Sequence, residues 1–304
     1  FDIKGLFTIH FYYSIYSNNI MGIKAKLVNA FTENLNGGNP AGVILDADNL
    51  SEQQMIKISL KLGFSESAFV QKSDKADFRV RFFSPTQEVD LCGHATIATF
   101  HSLIETGQID FENFESKIVT QETKSGILSV ECYKNGLIVM TQKKSEFYHT
   151  ENDRNLISKL LNIKTDDLME YPIQSVSTGV PKLIIPVKSL DVLYKIKPDL
   201  ERIKEYCKRT GTKGFYPFTF ETKENSDFHA RQFNPLAGIN EDPITGVAAG
   251  ALGAYILEHK ISEKNQFVIE QGYIMNKPGK IYVQISDSVK IGGYALTVGG
   301  KTFE

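Results

Sequence analysis

Short runs in which apolar and polar residues alternate dominate the chain. They are KAKLVNAF (24–31), AGVILD (41–46), SAFVQK (67–72), FRVRFF (78–83), GILSVECY (126–133), GLIVMTQ (136–142), KLIIPV (182–187), FVIEQG (267–272), KIYVQIS (280–286) and VKIGGYALTV (289–298). A two-residue period with β-branched enrichment, broken by turn residues, predicts strands. Helical periodicity is rarer. Ser51 and Gln54 form an S-x-x-Q capping box, Met55, Ile58 and Leu62 share a face, and Gly63 supplies the stop. After Pro198 and Asp199, Leu200, Ile203 and Cys207 share a second apolar face that Gly211 ends, so Cys207 is expected in the core. The segments after His94 and after Thr245 are small and apolar nearly all round, as in a helix enclosed by a sheet.

The chain also repeats itself. DFRVRFFSP (77–85) and DFHARQFNP (227–235) share Asp, Phe, Arg, Phe and Pro at one constant offset. Each leads through a short loop into a helix-like segment: EVDLCGHATIATFHSLIETG in the first copy, INEDPITGVAAGALGAYILEH in the second. GGNPAGVIL (37–45) has a looser counterpart in TGVPKLIIP (178–186). These patterns predict an α+β fold of two similar, duplicated halves, each a mostly antiparallel curved sheet or barrel around a central helix. A doubly wound parallel sheet competes, but the strands come in clusters and do not alternate strictly with helices. The expected boundaries are 22–137 for the first half, with the C-terminal strand in 291–304 returning to it, and 138–290 for the second. Residues 1–21 read as a leader or extension ahead of a natural start at Met21; an extra strand on the core is the alternative. No basic segment or small-residue cleavage site marks a signal peptide there.

Composition narrows the function. With 34 basic and 36 acidic side chains among 304 residues, the net charge of -2 offers no broad basic footprint for nucleic acid or anionic membrane. No apolar run reaches the length of a membrane span. Three widely spaced cysteines, Cys92, Cys132 and Cys207, form neither a disulfide framework nor a zinc pattern. A reducing, cytoplasmic setting fits them.

Two duplicated loops facing one another predict a site in the cleft between halves. At the repeat offset Cys92 falls opposite Asp242. Both loops enter helices, whose free N–H groups and dipole favour an anion, so a small carboxylate-bearing metabolite is the expected partner. Taken singly, each residue has a plainer reading. Glu66 suits a solvent-facing turn, and His94 suits a cap or a satisfied core histidine. Asp242 suits a helix cap before Pro243 at the first helical position, and Arg81 and Arg231 suit braces for the loops.

In combination these residues resemble the PhzF-like family, named for an isomerase of phenazine biosynthesis. The likeness rests on NAFTENLNGGNPAGVIL (29–45), LSEQQMIKISLKLGFSESAFV (50–70), RFFSPTQEVDLCGHATIATFHSL (81–103), FNPLAGINEDPITGVAAGALGAYI (233–256) and EQGYIMNKPGKIYVQI (270–285). It runs from about Asn29 to Gly293, and CGHAT and EDPxTG in this order are specific together. The resemblance implies a diaminopimelate-epimerase-like fold, a homodimer, and no metal or organic cofactor. It implies Glu66 of S-E-[TS]-x-F as general acid/base, with His94 and Asp242 as catalytic partners. The backbone around Gly93, Ala95, Gly246 and Val247 would hold the substrate carboxylate or a developing enolate. The implied reaction is cofactor-independent: a proton leaves one carbon of a small carboxylic acid and returns to another. A carboxylate withdrawn from water suits such a shuttle near neutral pH. One departure stands out. Many members carry Ser after the Gly of EDPxTG, where this chain has Val247, so a hydroxyl is missing from the expected pocket. Related racemases use one thiol per half; Cys92 sits at the first position, and Asp242 would occupy the second. The competing functions are therefore a metabolite-binding protein without turnover, or an amino-acid epimerase using Cys92.

Overall fold

The computed structural model describes residues 19–303, so most of the expected leader lies outside the described residues. These residues form a mixed, mostly antiparallel α/β fold with six α-helices, in two compact units. One unit comprises the described residues up to Ala30, Pro40–Gly136, and those from Leu296; the other comprises Phe31–Asn39 and Leu137–Ala295.

In the first unit, helix α1 (Glu52–Leu62) begins with the expected capping box, and Gly63 closes it at φ 73°. That left-handed conformation is one only glycine adopts without penalty, so the chain turns sharply toward the strand Ser67–Gln71. Met55 and Ile58 of α1 pack with Ile20, Ile44, Phe69, Phe83 and Phe303. Around them Gly42–Ile44 run parallel to Ser67–Phe69, which pair antiparallel with Phe83–Arg81. Phe78 and Arg79 then run parallel to the first strand of the hairpin Ser116–Thr123/Gly126–Tyr133.

Helix α2 (Gly93–Glu105) is buried on nearly every face and packs on Lys24–Ala30 and Ser67–Gln71. Its apolar side chains, Ile97, Phe100 and Leu103, are fully enclosed, each burial contributing about 1.5–3 kcal/mol. The hydroxyls among them are satisfied locally. Thr96, Thr99, Ser102 and Thr106 each donate to the carbonyl four residues back, at 2.7–2.9 Å. A sequence with so many small hydroxylated residues can thus form a central helix without orphaned polar atoms.

In the second unit, helices α3 (Arg154–Leu161), α4 (Leu190–Lys195) and α5 (Leu200–Thr210) cover one layer of the core. Ile157, Leu160, Leu193, Ile203, Tyr206 and the expected core residue Cys207 pack there against Leu183, Ile185 and Phe215. Helix α6 (Gly246–Glu258) is enclosed. It touches Ile173–Ser177 and Lys182–Pro186, and also Gln266–Gln271, Gly279–Ile285 and Val289–Gly293, which lie far along the same run of paired strands. One helix reaches both stretches only if the sheet curls around it. Glycines allow the approach: a Cβ at Gly253 would stand 2.7 Å from Val283 Cγ1. Pairing is antiparallel except where Leu183–Pro186 meet Phe215–Phe218 and where Phe228–His229 meet Ile269–Glu270. The doubly wound alternative does not survive this pattern.

Candidate active site

Glu66 is the one residue between the bend that follows Gly63 and the strand Ser67–Gln71. Helix α2 packs on that strand, and its first turn brings His94 to the carboxylate. Oε2 of Glu66 lies 3.5 Å from Nε2 of His94, with the side chains only 21% and 10% exposed. Cys92, the N-cap of α2, completes the group: its Sγ stands 3.4 Å from Nδ1 and 3.8 Å from Nε2 of His94. A carboxylate, an imidazole and a thiol therefore offer atoms within 4.8 Å of one another. Glu66 is not the solvent-facing turn residue of the plainer reading, nor is His94 a helix cap.

The repeated arginines brace the loops that follow them. Nε and Nη2 of Arg81 donate to the two carboxylate oxygens of Glu88 at 2.7 and 2.9 Å, and the guanidinium lies over Phe83. Arg231 makes the same forked pair with Glu241, both bonds at 2.8 Å, over Phe233. This recurrence corrects the register read from the constant offset. Glu88 corresponds to Glu241, and Val89, paired with Phe82, corresponds to Asp242, paired with Gln232. Cys92 and Thr245, the N-caps of α2 and α6, then correspond to each other. The expected match of Cys92 to Asp242 fails because the second loop holds one extra 3₁₀ turn, Pro235–Ala237, closed by Gly238 at φ 78°. The counterpart of the first thiol is therefore the hydroxyl of Thr245, and the position still carries no second thiol.

Asp242 does not cap a helix. It ends the strand Ile239–Asp242, and α6 starts only at Gly246. Its carboxylate is clamped instead. Asn39 Nδ2 donates to Oδ1 at 2.8 Å, and the Thr245 hydroxyl makes a short bond to Oδ2. Gln271 ties the loop together, donating to Asp242 O at 2.8 Å and accepting from Thr245 N at 3.2 Å and Tyr216 Oη at 3.0 Å. Asn39, Thr245 and Gln271 were not singled out in the sequence, although each lies in a quoted motif.

Helices α1, α3, α4 and α5 are capped by Ser51, Asp153, Ser189 and Asp199, whereas the N-caps of α2 and α6 make no side-chain cap hydrogen bond. Ala95 and Gly246 are buried, so only their backbone N–H groups can serve a ligand. A Cβ at Gly246 would stand 2.4 Å from Ile291 Cδ1, so this glycine is also required for packing. Val247 is half-buried and accepts at its carbonyl from Thr178 Oγ1 at 3.1 Å. Gly93 begins α2 directly before His94.

Two buried ionisable groups escaped the sequence reading. Burial lowers the Lys182 ammonium to about 8, against the pull of Asp242. Burial pushes Glu270 up, but His229 Nδ1 at 2.9 Å and the amides of Lys223 and Glu224 at 2.7 Å outweigh it and hold the carboxyl at about 2. Both are polar residues inside strands that read as apolar. Cys132 and Cys207 are enclosed thiols, pushed up by burial to about 12 and about 11.

Residues 28–301 match the model of the phenazine biosynthesis-like protein family, PhzC-PhzF. The chain belongs to that family. Over 293 residues it is 40% identical to an uncharacterized isomerase of Clostridium acetobutylicum, covering 89% of this chain and 94% of the relative. It is 38% identical over 265 residues to an uncharacterized isomerase of Bacillus subtilis, YfhB, covering 85% and 89%. Among solved structures it is similar to the Bacillus anthracis phenazine biosynthesis protein of the PhzF family. The TM-score is 0.85 at 35% identity, covering 93% of this chain and 99% of that one. Membership places the chain among enzymes of the isomerase class. Among the described residues no helix is long and apolar enough to cross a membrane.

Proposed function

We propose that this PhzF-family chain is a cofactor-independent isomerase that moves a proton on a small carboxylic acid, with Glu66 as the proton carrier. The observation that carries the reading is the approach of Glu66 Oε2 to His94 Nε2, both withdrawn from bulk water. In this reading the Glu66 carboxylate takes a proton from a carbon activated by the substrate's carboxyl group. The C–H bond breaks, an O–H bond forms, and the electron pair passes into an enolate-like intermediate. The proton on Glu66 exchanges with solvent through the partly exposed side of the carboxyl, and a proton from Glu66 then forms the new C–H bond at a second carbon and regenerates the carboxylate. His94 holds Glu66 or the leaving proton in place, and a 3.5 Å gap of this kind shortens when a substrate completes the site. The uncapped first turns at Gly93–Ala95 and Gly246–Val247 suit the substrate carboxylate. Asp242, clamped by Asn39 and Thr245, is a fixed partner of the reaction in the same proposal.

A cytoplasmic homodimer is part of the proposal. Three thiols joined by no disulfide support the reducing setting. The reading is tested by incubating the protein with a panel of unsaturated and amino carboxylic acids in deuterated water. Deuterium entering a C–H position of one acid, with a positional isomer formed, is the expected result; no exchange on any acid removes the reading in favour of binding without turnover.

One observation favours a second reading. The Cys92 thiol lies against the same imidazole, which suits an epimerase whose proton carrier is Cys92. Exchange at a single stereocentre, lost in Cys92→Ser and kept in Glu66→Gln, would select it.

A further inference from the structure

We infer that Glu66, Cys92 and His94 form a binding site for a soft divalent cation, Zn²⁺ above all, and that its occupation switches the enzyme off. The binding argument is geometric. In a tetrahedral zinc site with one sulfur, one nitrogen and one oxygen ligand at about 2.0–2.3 Å, neighbouring donors stand about 3.3–3.7 Å apart. Here Glu66 Oε2 to His94 Nε2 is 3.5 Å and Cys92 Sγ to His94 Nε2 is 3.8 Å. The three donors lie within 4.8 Å of one another. Cys92 Sγ also lies 3.4 Å from Nδ1 of His94, so the thiol has to turn about its Cα–Cβ bond toward the Nε2 side to join Glu66 on one ion.

The donor set selects the metal. A thiolate and an imidazole disfavour Mg²⁺ and Ca²⁺, which prefer all-oxygen ligands, and favour Zn²⁺ or Co²⁺. Three protein ligands leave a fourth position for water or a substrate carboxylate. The scaffold is stiff on one side, since Cys92 and His94 belong to the first turn of the enclosed helix α2. It is adjustable on the other, where Glu66 precedes its strand and is partly exposed. Binding releases the thiol proton and blocks the Glu66 carboxylate, which cannot ligate a cation and accept a substrate proton at once. The site itself stands on these distances alone; the switching-off rests on the proton-transfer reading above.

The test uses the whole chain, kept reduced, titrated with Co²⁺ in the absence of substrate. One equivalent should bind and produce a sulfur-to-cobalt charge-transfer band in the near ultraviolet, which Zn²⁺ then bleaches stoichiometrically by displacement. Cys92→Ser should abolish the band, and Glu66→Gln should keep it while weakening binding at least about tenfold. Both substitutions are close to isosteric, and circular dichroism checks their folding. No band at saturating Co²⁺ overturns the inference. A band that persists in Cys92→Ser also overturns it, because the metal then sits on another thiol. With an acid that exchanges, Zn²⁺ should abolish exchange at the occupancy read from displacement. Full exchange with the site occupied would contradict the proton-transfer reading while leaving the site intact.

Discussion

Glu66 and His94 meet, Oε2 to Nε2 at 3.5 Å, from two separate segments of the chain. Glu66 is delivered by the stop of α1 at Gly63, and His94 by the start of α2. Because α2 packs on the strand that Glu66 precedes, the pair is held by the core of one unit and not by a flexible loop. His94→Asn keeps a polar group near Glu66 and removes the ring nitrogen facing it. Exchange on the substrate acid should then fall by about 10²-fold, while binding of the acid stays within a few-fold. A variant with undiminished exchange would show that the imidazole takes no part.

The two forked arginine pairs differ in how much water reaches them. Arg231 is almost enclosed, and its Nη1 also donates to Leu193 O and Ile196 O at 2.9 and 3.1 Å. Arg81 is more open and shares Nη2 with the exposed Glu52. Arg231→Met should therefore destabilise the fold by about 3–5 kcal/mol, since it strands the Glu241 carboxylate and two carbonyls. Arg81→Met should cost less, about 1–3 kcal/mol. Urea unfolding at fixed pH compares them, and an equal or reversed order would show that burial does not set the difference.

Lys182 gives a stability signature with a definite sign. Its folded value, about 8, lies below the ordinary 10.5. Between these values the unfolded chain binds the extra proton, so this group adds stability as pH rises through the window and withholds it below pH 8. Lys182→Met should be more stable than the natural chain at pH 7 by about 3 kcal/mol, and the advantage should shrink toward pH 10. An advantage that is flat with pH would mean that Lys182 is not held in the buried, charged state.

Glu270 has the opposite sense. Its carboxyl is held down near 2 by His229 and two amides, so its contribution is complete above about 4.5 and is lost as pH falls through 2. Glu270→Gln should lower the melting temperature at pH 7, and the gap to the natural chain should close on acidification. A gap that stays constant down to pH 3 would contradict the assignment.

Much of this was legible in the residues, for physical reasons that differ by element. The box at Ser51–Gln54 and the stop at Gly63 are local, so a short window contains everything that determines them. The enclosed helices showed as small, apolar segments, because a surface helix needs a polar face. The repeat DF-x-x-R-x-F-x-P was visible because Arg81 and Arg231 each need a carboxylate and an aromatic ring at fixed positions. What it could not show was the extra turn at Pro235–Ala237, since one constant offset holds only up to the first insertion. The partners of Asp242 were hidden for another reason. Asn39 and Gln271 reach it across 203 and 29 residues, and only the folded chain brings them together. Helix α3, with Asp153 as its cap, was passed over because it is short and follows a half-exposed strand.

The central claim is that Glu66 carries the proton, and Glu66→Gln addresses it directly. The substitution keeps the shape and one hydrogen-bonding oxygen but removes the base. The measurement is deuterium entry from solvent into the acid identified by the panel, followed by NMR for the natural chain and the variant at equal active concentration. The account predicts a loss of about 10²–10⁴-fold in exchange, with binding of the acid retained. Exchange at the natural rate in Glu66→Gln would contradict it.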